Sequence, residues 1–208
     1  MSRRVVCISS ATGAGAEEVI PLVADRLGLR IVDEAIIAQA AREAGVEHEV
    51  VADVELRRSF VAALFRELAS SAGFVAAGGG YPVAAPDDLL TDDDLRTLIR
   101  SAIEEAADLG DVVIVSHAAS IALSERDDIL RVLVTGSPEA RATRVAATRG
   151  VWDDAAEKQI ADSDAGRADY FRRFYGVRQE LPTHYDLVVN TDRLGAGDAA
   201  DLIVRAAG

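Results

Sequence analysis

Val5-Val6-Cys7-Ile8-Ser9-Ser10-Ala11-Thr12-Gly13-Ala14-Gly15-Ala16-Glu17 is the stretch whose reading decides the fold. Val5 to Ser9 opens with an unbroken apolar run, as a strand buried on both faces does. The helical periodicity of Glu17 to Leu27 follows and stops at Gly28, a residue suited to a helix C-terminus. Between them lies a glycine turn. Such a turn lets the main chain approach an anion closely, and the helix after it presents unbonded N–H groups and the positive end of its dipole. Thr12, Gly13, Ala14, Gly15, Ala16 and Glu17 are therefore the candidate phosphate-binding residues. A tight turn needing glycine for a positive φ accounts for the same letters without any ligand.

Further strands are expected over Arg30 to Val32, Val112 to Ser116, Leu130 to Thr135 and Leu187 to Asn190. Helical patterns separate them: 34–44, 50–71, 91–109, 137–148, 153–175 and one starting near Asp198. Thr91 with Asp94 reads as a capping box, Ser137-Pro138 as an N-cap followed by proline at the first helical position, and Asp153 as a cap. Alternating strands and helices predict an α/β fold in three layers, with a central parallel sheet of about five strands and helices on both faces. The segment 72–88, with Gly78-Gly79-Gly80, Pro82 and Pro86, reads as a surface loop.

Composition narrows the function. The 208 residues are 50% hydrophobic, enough for one core, and carry a net charge of −13. That charge disfavours nucleic acid and anionic membrane as partners. The single cysteine, Cys7, excludes an internal disulfide and a cysteine zinc site, and reads as a buried thiol. No apolar run is long enough to span a bilayer, and Val5 to Ile8 is too short for a signal-peptide core, so the cytoplasm is the expected compartment. Lys158 is the only lysine, so phosphate chemistry must run on arginine, main-chain amides or a metal.

The segment from Arg141 to Arg178 holds eight basic and six acidic residues, a positive island in an acidic chain. Guanidinium groups bind phosphoryl oxygens bidentately and neutralise the charge that spreads over them during transfer. Arg141 and Arg144 share a helix face, and Asp164 lies three residues before Arg167, placed to orient it or an incoming sugar hydroxyl. The plain alternative is a solvated face of weak ion pairs, which suits Arg172, Arg173 and Arg178 better. His117, after the third strand, and Asp33, after the second, stand where open α/β sheets bind ligands. A hydrogen-bonded structural histidine explains His117 equally well, and a helix N-cap explains Asp33 better. Tyr170, Phe171, Phe174 and Tyr175 recur at helical spacing and read as core or as a dimer seam, which leaves a homodimer open. No metal-ligand cluster stands out.

These motifs, in order, resemble the cytidylate kinase-like family, relatives of the P-loop nucleoside monophosphate kinases. The likeness begins with the glycine turn and Leu27-Gly28-Leu29-Arg30-Ile31-Val32-Asp33-Glu34-Ala35-Ile36-Ile37. It resumes at Val112-Val113-Ile114-Val115-Ser116-His117-Ala118, Arg141-Ala142-Thr143-Arg144 and Asp164-Ala165-Gly166-Arg167, and closes with Tyr185-Asp186-Leu187-Val188-Val189-Asn190-Thr191-Asp192. The resemblance implies a single P-loop NTPase-like domain over 1–208, an acceptor-binding insert over 46–94 and an arginine-rich lid over 137–178. It implies transfer of the ATP γ-phosphoryl, with Mg2+, to a nucleoside monophosphate such as CMP or dCMP. Arg141, Arg144, Arg167 and Asp164 would be catalytic, and Asp33 and His117 would face the acceptor. The chain departs from the pattern at Ala16, where parent kinases carry lysine, at Ser10, where this branch often has arginine, at Gln39, where the parents place an acceptor arginine, and at Ser116-His117, where Gly-Arg is usual. Those departures motivate a second reading, a nucleotide-binding or protein-interaction scaffold without turnover.

Overall fold

The computed structural model describes residues 5–34, 38, 50, 55–57, 59, 61 and 91–208. Most of the expected helices over 34–44 and 50–71, all of the loop over 72–88, Gln39 and most of the 46–94 insert lie outside them, and the residues of those two helices that are described are helical. Two compact units divide the chain, Met1–Ile31 with Gly110–Gly208, and Val32–Leu109.

Five strands form one sheet: β1 Val5–Ser10, β2 Arg30–Asp33, β3 Val112–Val115, β4 Ile129–Thr135 and β5 Leu187–Asn190. Their order is β2-β3-β1-β4-β5. β1 runs parallel to both neighbours, with Val5 beside Val112 and Ile129, and β5 runs parallel to β4. The glycine turn therefore leaves the middle of the sheet at its C-terminal edge, between the ends of β3 and β4. That edge is where ligands bind in open α/β sheets.

Alternate side chains of a strand face opposite ways. Val6, Ile8, Val113, Val132, Val134 and Val189 make one core with Val19, Val23 and Leu27 of α1 (Ala16–Leu27) and with Ala199, Ala200 and Ile203 of the last helix (Ala196–Ala207). Cys7 and Ile114 point the other way and are also buried, so both faces of the sheet are covered, as the unbroken apolar runs require. Burial pushes the Cys7 thiol up to about 12, so it stays protonated and inert.

The remaining helices of the first unit are α3 (Ala119–Ala122), α4 (Pro138–Arg149), α5 (Asp153–Tyr175) and, as α6, the last helix. Ser137 accepts a hydrogen bond from the Ala140 N–H and starts α4 as its sequence predicts. Gly150, at φ 64°, ends α4, and three residues later the chain returns as α5. The resulting hairpin closes on Ala142, Val145, Ala156 and Ile160. Asp153 is not the cap of α5. Trp152 holds that position without a side-chain bond, and Asp153 and Asp154 lie in the first turn, where their charge suits the helix dipole. In the second unit, α2 (Asp92–Leu109) opens with the expected box. Asp94 accepts from the Thr91 N–H at 3.0 Å, and Thr91 Oγ1 accepts from the Asp94 N–H at 3.2 Å. The short α3 and the 3-10 turn Pro182–His184 escape a sequence reading because neither holds a full amphipathic period.

Two glycines of the loop have different reasons to be glycine. Both have φ near +75°. A Cβ on Gly13 would also stand 2.7 Å from the Arg141 carbonyl oxygen and 3.0 Å from Val145 Cγ2, whereas a Cβ on Gly15 meets nothing within 4 Å. Urea unfolding of Gly15→Ala is expected to show a loss of about 1–2 kcal/mol from backbone strain alone. Gly13→Ala is expected to lose at least ~1 kcal/mol more, from α4 being pushed off the loop. Equal losses would show that α4 does not press on the turn.

Candidate functional site

The loop from β1 to α1 begins as an extension of the sheet, with the Ala11 N–H donating to the Val134 carbonyl. It then turns, the Ala14 N–H donating to the Ala11 carbonyl at 3.0 Å. Gly13 is the third residue of that turn, where a positive φ selects glycine. Gly15 caps α1 in the left-handed region with no side-chain bond, and its carbonyl accepts from the N–H groups of Glu18 and Val19.

Four loop carbonyls are each held by a side chain from elsewhere in the chain. Arg167 Nη1 donates to the Ser10 carbonyl at 3.2 Å, and Arg141 Nη1 to the Thr12 carbonyl at 3.3 Å. Arg144 Nη1 donates to the Gly13 carbonyl at 3.2 Å, and the Thr191 hydroxyl to the Ala14 carbonyl at 2.8 Å. A trans peptide points its N–H away from its C=O. Fixing these oxygens therefore turns the N–H groups of Gly13 and Gly15 to the other side. Among the described residues nothing accepts from the N–H of Gly13, Gly15, Ala16 or Glu17. Glu17 is exposed and does not fill the turn. Thr12 adds a side-chain contact at 2.6 Å, hydroxyl to hydroxyl, with Ser163 of α5.

The three arginines singled out from sequence thus converge on the loop, but they differ in charge balance. Arg141 is buried and makes a bidentate pair with Asp164 at 2.9 and 2.6 Å, while its Nε donates to the Gly136 carbonyl. Arg167 makes a bidentate pair with Glu180, both contacts 2.7 Å, and also donates to Ser9 Oγ at 2.7 Å. Among the described residues no carboxylate pairs with Arg144, which holds the Gly13 and Thr191 carbonyls. The expected pairing of Asp164 with Arg167 is corrected: Asp164 orients Arg141 across the hairpin, and Arg167 finds its carboxylate beyond the end of α5. Arg172 and Arg173 share Asp169 on the exposed face, as expected of a solvated pair.

Behind the loop a cavity of about 230 Å³ is lined by Ala11, Thr135, Arg141, Asp164, Arg167 and Phe171, among others. Phe171 is core, and the Arg167 guanidinium lies over its ring at 4.9 Å. Burial pushes the Glu180 carboxyl up, but the bonds and charge of Arg167, together with the Tyr185 hydroxyl, outweigh it and hold Glu180 below the usual range. Burial and the facing Glu180 raise Tyr185 above the usual phenol range. Burial disfavours the Arg167 charge, but Glu180 more than restores it.

His117 follows β3 and is exposed; its carbonyl accepts from Ser9 Oγ at 3.0 Å. Ser9 thereby links the end of β3 to Arg167. Asp33 closes β2, is half-buried and belongs to the other compact unit. Sequence reasoning passed over Ser9, Ser163, Glu180 and Thr191. Thr191 follows β5 at the C-terminal edge of the sheet, a position that flags it. Glu180 sits in an aperiodic connection and carries no such signal.

A parallel sheet whose central strand leads through a glycine turn into a helix, with arginines from a later helical hairpin on that turn, defines a small phosphotransferase fold of the P-loop kinase type. The chain belongs to the cytidylate kinase-like family, whose model matches residues 5–193. It is 26% identical to a cytidylate kinase of Ignicoccus hospitalis over 201 residues, 97% of each chain. It is 29% identical to a cytidylate kinase of Methanopyrus kandleri over 146 residues, 66% of this chain and 72% of that one. Among solved structures it is similar to an uncharacterised protein from Eubacterium ventriosum (TM-score 0.63, 14% identity, 98% of both chains). It is also similar to a gluconokinase from Sinorhizobium meliloti (TM-score 0.52, 14% identity, 99% of this chain and 94% of that one). Those two likenesses show the fold alone. No helix among the described residues is long and apolar enough to cross a membrane.

A carboxylate held below its usual range stabilises the fold above that range and loses the contribution as it is protonated. Glu180→Gln is expected to cost about 2 kcal/mol in urea unfolding at pH 7. The gap to the parent protein should close as pH falls through and below the glutamate range. A gap constant from pH 7 to pH 3 would show that the Arg167–Glu180 charge pair is not its source.

Proposed function

We propose that the chain is a phosphotransferase moving the ATP γ-phosphoryl to a nucleoside monophosphate, CMP or dCMP first. The observation that carries this reading is Arg144: a guanidinium without a carboxylate partner among the described residues, fixed to a glycine loop whose amides at Gly13, Gly15, Ala16 and Glu17 are unclaimed. Arg141 and Arg167 are each neutralised by a bidentate carboxylate, so their positive charge adds little to the net field at the loop. Arg144 and the N-terminal dipole of α1 supply the attraction for phosphate. The relatives named cytidylate kinase supply the acceptor class.

The residues divide the work accordingly. The loop amides of Gly13, Gly15, Ala16 and Glu17 bind the donor phosphates. Arg144, on the carbonyl side of the loop, holds the Gly13 and Thr191 carbonyls and adds its positive charge behind the amides that face the phosphates. Arg141 and Arg167, each oriented by a carboxylate, hold the loop in shape. Asp164 fixes Arg141. His117 belongs to the acceptor side. Catalysis is then positioning and electrostatics, with no covalent step on the protein. Magnesium fits this site as a companion of the donor rather than a resident of the chain. Mg2+ keeps several waters and phosphate oxygens, Asp164 and Glu180 are both engaged by arginines, and Glu17 is the exposed carboxylate next to the loop amides. The domain acts as a soluble enzyme of the cytoplasm, with nucleotides as its partners and neither nucleic acid nor membrane among them.

Ala16, where lysine would bind phosphate in the parent kinases, favours the second reading, a nucleotide-binding scaffold without turnover. A coupled ADP-release assay with CMP, dCMP, UMP and AMP separates the two. Turnover is expected with CMP or dCMP. Arg144→Ala is expected to raise the KM for ATP and lower kcat/KM by about tenfold or more, through loss of a charge-assisted hold on the loop, and Arg172→Ala to leave both unchanged. ATP binding without turnover on any acceptor selects the scaffold.

A further inference from the structure

We infer that Thr191 is a positioning residue for the donor phosphates, acting through the Ala14–Gly15 peptide; this rests on the phosphotransfer reading above. Thr191 lies just past β5, is buried, and uses every polar atom it has at the loop or beside it. Its hydroxyl donates to the Ala14 carbonyl at 2.8 Å and, in a longer branch, to the Thr135 carbonyl at 3.1 Å. Its N–H donates to that same Thr135 carbonyl at 2.8 Å. Its carbonyl accepts from Arg144 Nη2. One residue therefore sets both the peptide that carries the Gly15 amide and the guanidinium that backs the loop.

The two acceptors of the hydroxyl are not equivalent. Without it, the Thr135 carbonyl keeps the Thr191 N–H, so the junction of β4 and β5 is preserved. The Ala14 carbonyl keeps no donor among the described residues, and Ala14 is fully buried, so water does not replace it. An unsatisfied carbonyl at that point relaxes by rotating its peptide, and rotation swings the Gly15 N–H with it. The consequence falls on the loop and not on the sheet. Asp192 completes the anchor from the other side: its Oδ1 accepts from the Ser137 N–H at 2.8 Å, tying the same corner to the start of α4. Gly136 makes room for it, since a Cβ there would stand 2.8 Å from Asp192 Oδ1.

The test is titration calorimetry of the full chain with ATP and with inorganic tripolyphosphate, comparing the parent protein with Thr191→Val and Thr191→Ser, together with steady-state KM values for ATP and CMP. Thr191→Val is expected to weaken both ligands about tenfold. It should raise the KM for ATP and leave the KM for CMP within about twofold, because only the donor loop has moved. Thr191→Ser, which keeps the hydroxyl, should restore tripolyphosphate binding. A general loss of structure would not spare the CMP term or be rescued by serine. Thr191→Cys, with a weak donor of similar bulk, replaces the valine variant if that one does not fold, and should lie between the two. Unchanged tripolyphosphate binding in Thr191→Val or Thr191→Cys, with the parent protein binding normally, overturns the role of Thr191 alone. Failure of the parent protein to bind either ligand overturns the phosphotransfer reading and this inference with it.

Discussion

A peptide unit cannot turn its carbonyl and its amide independently, and the arrangement at the β1–α1 loop depends on that constraint. The chain has no lysine in the loop and a negative charge overall. An anion site must then be built from amide dipoles, arginine or a metal. Main-chain amides serve only if they face one way. Here the carbonyls of Ser10, Thr12, Gly13 and Ala14 are held from the other side by Arg167, Arg141, Arg144 and Thr191. The loop is thus shaped by residues distant in sequence, and glycine at positions 13 and 15 permits the backbone angles this requires.

That dependence explains the carboxylates. A buried guanidinium without a counter-charge is expensive, and Arg141 and Arg167 are both largely buried. Asp164 and Glu180 offset that cost and fix the planes of the two guanidinium groups bidentately. Arg144 is half-exposed, is solvated more easily, and stays unpaired among the described residues. Two of the three arginines that reach the loop are therefore neutralised in space, and Arg144 is the one left without a carboxylate among the described residues. Phe171, which sequence spacing left between core and dimer seam, is core and carries Arg167 on its ring.

Much of the fold was legible because it rests on local patterns. The five strands were readable from β-branched runs, and α1 and α4 from their stops and caps, each within a residue or two of where the structure has it. The convergence of Arg141, Arg144 and Arg167 was readable only through the family resemblance, since no periodicity relates residue 10 to residue 167. Their partners were misjudged because spacing within one helix favours Asp164 with Arg167, whereas the α4–α5 hairpin brings Asp164 to Arg141 instead. Glu180 lay beyond reach, because its pairing is a long-range contact made from an aperiodic connection, whereas Thr191 was marked only by its place at a strand end and not by its contacts.

The central claim is that the loop amides, and not a side chain of the loop, receive the donor phosphates. Amide chemical shifts of the ¹⁵N-labelled protein during titration with ATP test it most directly. The account predicts the largest changes at the N–H groups of Gly13, Gly15, Ala16 and Glu17, with the Arg144 side-chain signals moving in step. Saturation by ATP with those four amides unmoved would contradict it.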